Sequence, residues 1–256
     1  MTLKKISNRL EQLCQVRHLH VFEHQIGTHR TVTPVITEYV RTGLDQGPDG
    51  QYEFFRARAT HRGAMNANFH TWHNQVSVTV CHQTKTVKFG PTGQLIMAKR
   101  GIGLGPSLMA CVMEWLLAQS ISHYAIDPGS LSRVDASEDS DRLQRNRFYQ
   151  AFGFRLSNWD STQTGLDVVD GTFTADNVDA LSIPERYKGR LQDWPTFESN
   201  LQDERQLGVE NLAELKIIDK WTYGKSWIGR MVLEWWKWPF RFATRHKHPL
   251  KAWEKS

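Results

Sequence analysis

Apolar residues at Leu3, Ile6, Leu10, Leu13 and Val16 recur at three- and four-residue steps. That spacing lines side chains along one face of a helix and predicts an amphipathic helix over 3–24. The pattern changes after the turn-rich segment 44–50, LDQGPDG. QYEFFRARAT, QVSVTVCHQTKTVKF and QLIMA then read as strands, with Val76, Val78 and Val80 alternating with polar residues as on a half-buried sheet. The G-P-T-G at 90–93, between the second and third, is a hairpin signal. The run PSLMACVMEWLLAQ at 106–119 predicts a buried helix, with Pro106 in its first turn, where the missing N–H removes no intrahelical bond. SHYAID at 122–127 predicts a short strand, 128–140 a polar, acidic, mobile loop, and 141–152 a helix stopped by Gly153. Strand-like pieces follow at 154–157 and 165–174. Beyond Ile183-Pro184 the period is helical, over 185–193, 198–216 and 225–238. There are no internal repeats. The change of character near residue 180 predicts a mixed α/β domain over 1–180 and a helical extension over 181–256.

Composition adds to this picture mainly at the C-terminus. Of 256 residues 39% are hydrophobic and 23% charged, ordinary for a soluble globular chain. Six of the 10 Trp lie in the last 40 residues, at 221, 227, 235, 236, 238 and 253. From Lys216 onward ten Lys/Arg stand against Asp219, Glu234 and Glu254, a local charge of +7 that leaves the rest of the chain at −2 within the net +5. In KSWIGRMVLEWWKWPF, Trp227, Ile228, Met231, Val232, Trp235 and Trp238 share one helical face. Such a face suits packing on the core. With its basic flanks, the segment 216–256 equally suits an anionic partner: RNA, a membrane surface or an acidic protein. Cys14, Cys81 and Cys111 are odd in number and form no C-x-x-C pair, which points to a reducing compartment. No apolar run approaches the roughly 20 residues of a membrane span, and the N-terminus has no apolar signal core. The expected location is cytoplasmic, with a membrane-peripheral one as the alternative.

The strongest chemical signal is the strand–loop–helix segment LIMA-KRGIGLG-PSLMACVMEWL. A glycine-rich turn feeding a helix leaves several backbone N–H groups pointing one way, and the positive end of the helix dipole adds to them. Such a turn holds a phosphate, and glycine lets the backbone approach it. A dinucleotide G-x-G-x-x-G begun at Gly101 would need glycine where Pro106 stands, and the G-x-x-x-x-G-K-[ST] of a P-loop is absent. What fits is R-x-x-G-x-G: Arg100, Gly103 and Gly105.

This motif resembles the pyrophosphate-binding motif of the GNAT superfamily of acyltransferases. About 40 residues further on stands R-N-R-F-Y-Q-A-F-G-F, in which Phe148, Tyr149, Gly153 and Phe154 match the family's F-Y-x-x-x-G-F helix ending. The order of strand, R-x-x-G-x-G, helix, strand, loop and F-Y-x-x-x-G-F helix is also the family's. The resemblance covers residues 75–157 well, 1–74 loosely and 180–256 not at all. It implies an α/β (α+β) fold with a twisted, mainly antiparallel sheet splayed between two central strands and flanked by helices, to which the helical Trp-rich C-terminal extension is added. It implies an acetyl-coenzyme A-dependent N-acetyltransferase in which an amine-bearing acceptor attacks the thioester directly. None of the three Cys lies where an acyl-enzyme would need it.

The cofactor residues so implied are Ile96, Met97, Ala98, Arg100, Gly101, Ile102, Gly103, Leu104, Gly105, Ser107, Phe148 and Tyr149. A backbone N–H within 95–98 would polarise the acetyl carbonyl. Where many family members carry Asn seven residues before the Tyr, this chain has Arg142. Arg142, Arg145 or Arg147 would meet the 3′-phosphate, or else form a solvated basic face. Tyr149 is the candidate acid for the leaving thiolate. The base does not declare itself; Asp127, Glu53 and His123 are the candidates, and a water chain is the alternative. Of the eleven His, His20/His24 and His70/His73 come close together but lack the partners of a closed metal site, so no metal is expected. The rival class is a GNAT-like binding protein, catalytically weak or inactive, acting through its basic C-terminal surface on nucleic acid, membrane or a protein partner.

Overall fold

The computed structural model describes residues 3–42, 51–59, 74–90, 97, 101–136 and 138–224, with the backbone alone at 3, 4, 135 and 217–224. The turn cluster at 44–50, nearly all of QLIMA, Arg100, His70 and His73, and the helix expected at 225–238 lie outside the described residues.

Helix α1 (Leu3–Leu13) is followed by the antiparallel strands β1 (Gln15–Ile26), β2 (His29–Arg41), β3 (Tyr52–Ala59), β4 (Gln75–Cys81) and β5 (Thr86–Phe89). Helix α2 (Leu104–Leu117) leads to β6 (Ala125–Ile126), which pairs in parallel with β5, and then to β7 (Gly129–Leu131). Helix α3 (Asp139–Ala151), β8 (Arg155–Ser157), β9 (Gly171–Thr174), β10 (Leu191–Asp193) and helix α4 (Trp194–Gly224) complete the order. Among the described residues the large sheet runs β10-β1-β2-β3-β4-β5-β6 and a small one runs β7-β9-β8. The chain is therefore mixed α/β with a mainly antiparallel sheet, as expected.

The large sheet is covered on both faces, which explains why β3 is buried almost throughout. Phe55, Ala57 and Ala59 join Val76, Val78 and Val80 under the apolar α2, with Leu108, Val112, Met113 and Leu116 fully buried. On the opposite face Tyr52 and Phe54 meet Ile6 and Leu10 of α1. That second face also holds a polar clamp. Buried Arg56 donates from Nε to Glu38 at 2.7 Å and from a terminal nitrogen to Glu11, while Arg58 donates to the other oxygen of Glu38 at 2.9 Å.

Four expectations are corrected. The first helix stops at Leu13: Val16 extends its spacing by chance, but 15–26 pairs along its length with β2, and Val16 itself is exposed. The run 75–89, read as one strand, is β4 and β5 joined by a hairpin turn at His82–Lys85, with Lys85 at positive φ, while the hairpin expected at 90–93 lies, past Gly90, outside the described residues. The segment 128–140 is not all loop, because it contains β7 and a 3-10 turn at Arg133–Ala136. The helix expected over 185–193 is a single 3-10 turn, Glu185–Tyr187, then Gly189 at φ +62, then β10 on the edge of β1. A left-handed glycine interrupts any helix, and pairing with β1 satisfies the backbone beyond it.

The first compact unit runs to Phe197 and the second from Glu198. Helix α4 extends into the second unit, where Leu207, Val209, Leu212 and Leu215 are exposed. Among the described residues no helix is long and apolar enough to cross a membrane.

Candidate functional site

The two sheets part at Asp127-Pro128. The Asp127 N–H makes the last bond of the parallel pair, to the Val87 carbonyl at 2.8 Å. Pro128 has no N–H with which to continue the ladder. The chain then enters β7, where Gly129 leaves room for Phe173 of β9; a Cβ there would stand 2.1 Å from that ring.

Past β5 the chain returns as a loop with Gly101 at φ +84 and Gly103 at φ +83. Only glycine adopts this region without strain. Gly103 is the N-cap of α2, and among the described residues no side chain caps the helix. The Ser107 N–H is the first to bond within it, to the Gly103 carbonyl at 3.2 Å, and the Ser107 hydroxyl reaches the same oxygen at 2.9 Å. Leu104 and Gly105 stand in the first turn, so their N–H groups lack an intrahelical acceptor, and Pro106 beside them has no N–H to satisfy. A Cβ at Gly101 would stand in open space and one at Gly103 would touch only the Phe22 ring, at 4.0 Å. At Gly105 it would press on Met97 at 3.2 Å, so that glycine serves close packing.

This loop opens on a cavity of about 860 Å³. Its walls are the loop 101–106 with Met97, Ser130–Ser132 at the end of β7, the face of α3 bearing Phe148 and Tyr149, and Arg186 and Tyr187. Tyr149 is buried and stacks on Phe173, ring centres 4.2 Å apart at 22°. It occupies the last turn of α3, which ends in a Schellman cap. The Phe154 N–H donates to Tyr149 O and the Gly153 N–H to Gln150 O, with Gly153 at φ +88. The spacing Y-x-x-x-G-F thus has a backbone reason.

Met97, Gly101, Ile102, Gly103, Leu104, Gly105, Phe148 and Tyr149 line this one cavity. Ile96, Ala98 and Arg100 lie outside the described residues. Ser107 and Arg142 do not line it: the Ser107 hydroxyl closes the helix turn, and Arg142 pairs with Asp139 at 3.2 Å. Arg145 does line it, yet its guanidinium donates to the carbonyls of Ser132, Val168 and Val169 and so fastens α3 to its neighbours. Asn146, fully buried, donates to the carbonyls of Leu166 and Val168.

The candidate bases are scattered. Asp127 stands at the parting of the sheets. Glu53 accepts from Tyr39 Oη at 2.9 Å and contacts His82 Nε2 at 2.9 Å, and His82 Nδ1 reaches Tyr124 Oη at 3.1 Å. Burial, with the bond to Glu53, pushes the Tyr39 hydroxyl up to about 12. Exposed His123 lies edge-on to Tyr124. None of the three lines the cavity. Among the described residues no group of three His, Cys, Asp or Glu could hold a metal ion. Burial, then neighbouring His18, lowers the pKa of His20.

Ser130, Leu131, Ser132, Asp141, Arg186 and Tyr187 also line the cavity and were not among the residues named from the sequence. The dipeptide Pro128-Gly129 was the available signal for the first three. Nothing local marks Arg186 and Tyr187, which reach the cavity because β10 returns the chain to β1. No protein-family model, curated protein or solved structure matches the chain.

Proposed function

We propose that the chain binds acetyl-coenzyme A in the cavity at the start of α2 and transfers its acetyl group to an amine. The observation that carries this reading is the convergence on one cavity of the left-handed glycine loop 101–105 and the α3 face bearing Phe148 and Tyr149. These are the two segments on which the GNAT resemblance rests. The residues present fit the group: two glycines face open or nearly open space, and the first turn of α2 has N–H groups without intrahelical acceptors. The parting of the sheets beyond Asp127, next to a parallel strand pair, supports a GNAT-like fold.

When bound, acetyl-coenzyme A supplies a thioester that an amine attacks directly. In this reading the N–H groups of Gly103, Leu104 and Gly105 hold the diphosphate. Tyr149 Oη gives its proton to the departing sulfur. Asp127 follows β6 just before the β7 wall; it does not line the cavity, so it would take the proton of the amine through a water chain. Glu53 is engaged by Tyr39 and His82, which favours a structural role for it. Thiol release measured with acetyl-coenzyme A and a panel of primary amines tests the activity. Calorimetry with acetyl-coenzyme A tests binding alone. Binding without turnover of any amine favours the rival binding protein, and no affinity below millimolar overturns both parts of the proposal.

A further inference from the structure

The cavity carries cationic side chains that the glycine loop does not account for. Among the described residues Arg145, Arg147 and Arg186 line it, with Asp141 the acidic residue there. Arg145 is committed to main-chain carbonyls. Arg147 is exposed, and among the described residues no ion-pair or hydrogen-bond partner engages it. Arg186 is also exposed, and its guanidinium lies 4.7 Å from the centre of the Tyr187 ring. Tyr187 is itself nearly parallel to Phe152, at 6.1 Å and 14°. Phe152 closes α3, the helix that carries Arg147, so one packed aromatic pair fixes where Arg186 stands relative to that helix. A guanidinium resting over a ring keeps N–H groups for an anion and loses less freedom when it binds one.

We infer that Arg147 and Arg186 form a second phosphate site, separate from the glycine loop, and that it holds the 3′-phosphate of coenzyme A. This rests on the acetyl-coenzyme A reading and adds to it a discrimination between cofactors with and without that phosphate. A ligand that places a diphosphate at the start of α2 and a further phosphomonoester elsewhere in the same cavity needs two anion sites. The walls supply one built of N–H groups and one built of guanidinium groups. Arg186 comes from the segment the GNAT resemblance does not reach, so this selectivity belongs to the chain's own return past β10.

The test is calorimetric titration of the full chain with acetyl-coenzyme A and with its 3′-dephospho form, for the unaltered chain and for the double variant Arg147→Gln/Arg186→Gln. Both residues are exposed, and unchanged urea midpoints check that the variant is folded. The unaltered chain should prefer the 3′-phosphorylated form by about tenfold to a hundredfold, the scale of one or two charge-assisted contacts. The double variant should bind both forms with the weaker affinity. Equal binding of the two forms by the unaltered chain, or a preference that survives in the double variant, overturns the inference while leaving the acetyl-coenzyme A reading intact. Failure of the unaltered chain to bind either form overturns that reading and the inference with it. A loss shared equally by both ligands in the double variant would assign the arginines to the diphosphate and likewise reject the 3′-phosphate site.

Discussion

Phe154 donates its backbone N–H to the carbonyl of Tyr149 across 3.1 Å, and the two rings meet edge to face at 6.0 Å. The pair closes α3 whatever the hydroxyl of Tyr149 does. Tyr149→Phe should therefore keep the cap and the stack on Phe173, and with them the fold. If the hydroxyl protonates the leaving sulfur, kcat should fall by about tenfold to a thousandfold, the range of general-acid effects, with coenzyme A affinity nearly unchanged. Steady-state kinetics beside calorimetry separates the two. A variant with full kcat would reduce Tyr149 to a packing residue.

Gly103→Ala places a Cβ on a residue at φ +83, at the edge of the cavity. Left-handed backbone costs a non-glycine residue about 1–2 kcal/mol, and the methyl also intrudes where a diphosphate would approach. Gly27, in the turn between β1 and β2, has φ +62 and open space around it. Gly27→Ala should lose similar stability by urea unfolding but no affinity for acetyl-coenzyme A, whereas Gly103→Ala should lose both. Equal affinities in the two variants would remove the glycine loop from the binding site.

The helices that frame the cavity were legible in the sequence. The apolar run 106–119 falls within two residues of α2, and Gly153 marks the end of α3 because a Schellman cap needs a left-handed residue there. The strands that complete the site were not. β7 and β10 have three residues each, too few to show alternation, and β10 exists only by pairing His20 with Asp193 and Phe22 with Leu191. No local pattern reports a partner about 170 residues away. Arg142 entered the site on its spacing from Tyr149 alone; that spacing could not register Asp139, which holds it in an i,i+3 pair.

Cys111 lies on α2, and burial pushes its thiol up to about 12. At pH 8 only about one thiol in ten thousand would be ionised, and the thiolate is the reactive form. Alkylation of Cys111 by iodoacetamide should therefore be slow in the folded chain and fast in urea, followed by mass spectrometry of the peptide. Cys111→Ala should keep turnover, since direct attack needs no acyl-enzyme. Loss of activity without loss of stability would require a covalent intermediate.

Arg56 and Glu38 are each about 5% exposed and bind each other at 2.7 Å beneath α1. Removing one partner of a buried pair leaves an uncompensated charge, which costs about 3–5 kcal/mol. Arg56→Met should lose about that much in urea unfolding, eased to the extent that Arg58 continues to hold Glu38. A loss below about 1 kcal/mol would show that the clamp is solvated and not a determinant of the packing of α1.

The basic, Trp-rich C-terminus lies largely outside the described residues, so its role rests on where the compact unit ends. That unit includes β10 and runs to Phe197, and Arg186 and Tyr187 of the cavity precede that point. A chain ending at Phe197 should then bind acetyl-coenzyme A as the full chain does. One ending at Ala180 should not, because it lacks the edge strand on β1 and two residues of the cavity wall. The +7 charge after Leu215 would serve an anionic partner instead. Arg241, Arg245 and Lys247 reversed to Glu in the full chain should leave cofactor affinity alone and weaken binding to anionic vesicles or RNA. The loss should be about 1 kcal/mol for each contact to an anionic membrane at low salt. Calorimetry on the two shortened chains, with vesicle sedimentation and RNA filter binding on the reversed one, decides the matter. If the chain ending at Phe197 unfolds and the reversals alter no binding to vesicles or RNA, the C-terminus is part of the folded core and not a surface for a partner.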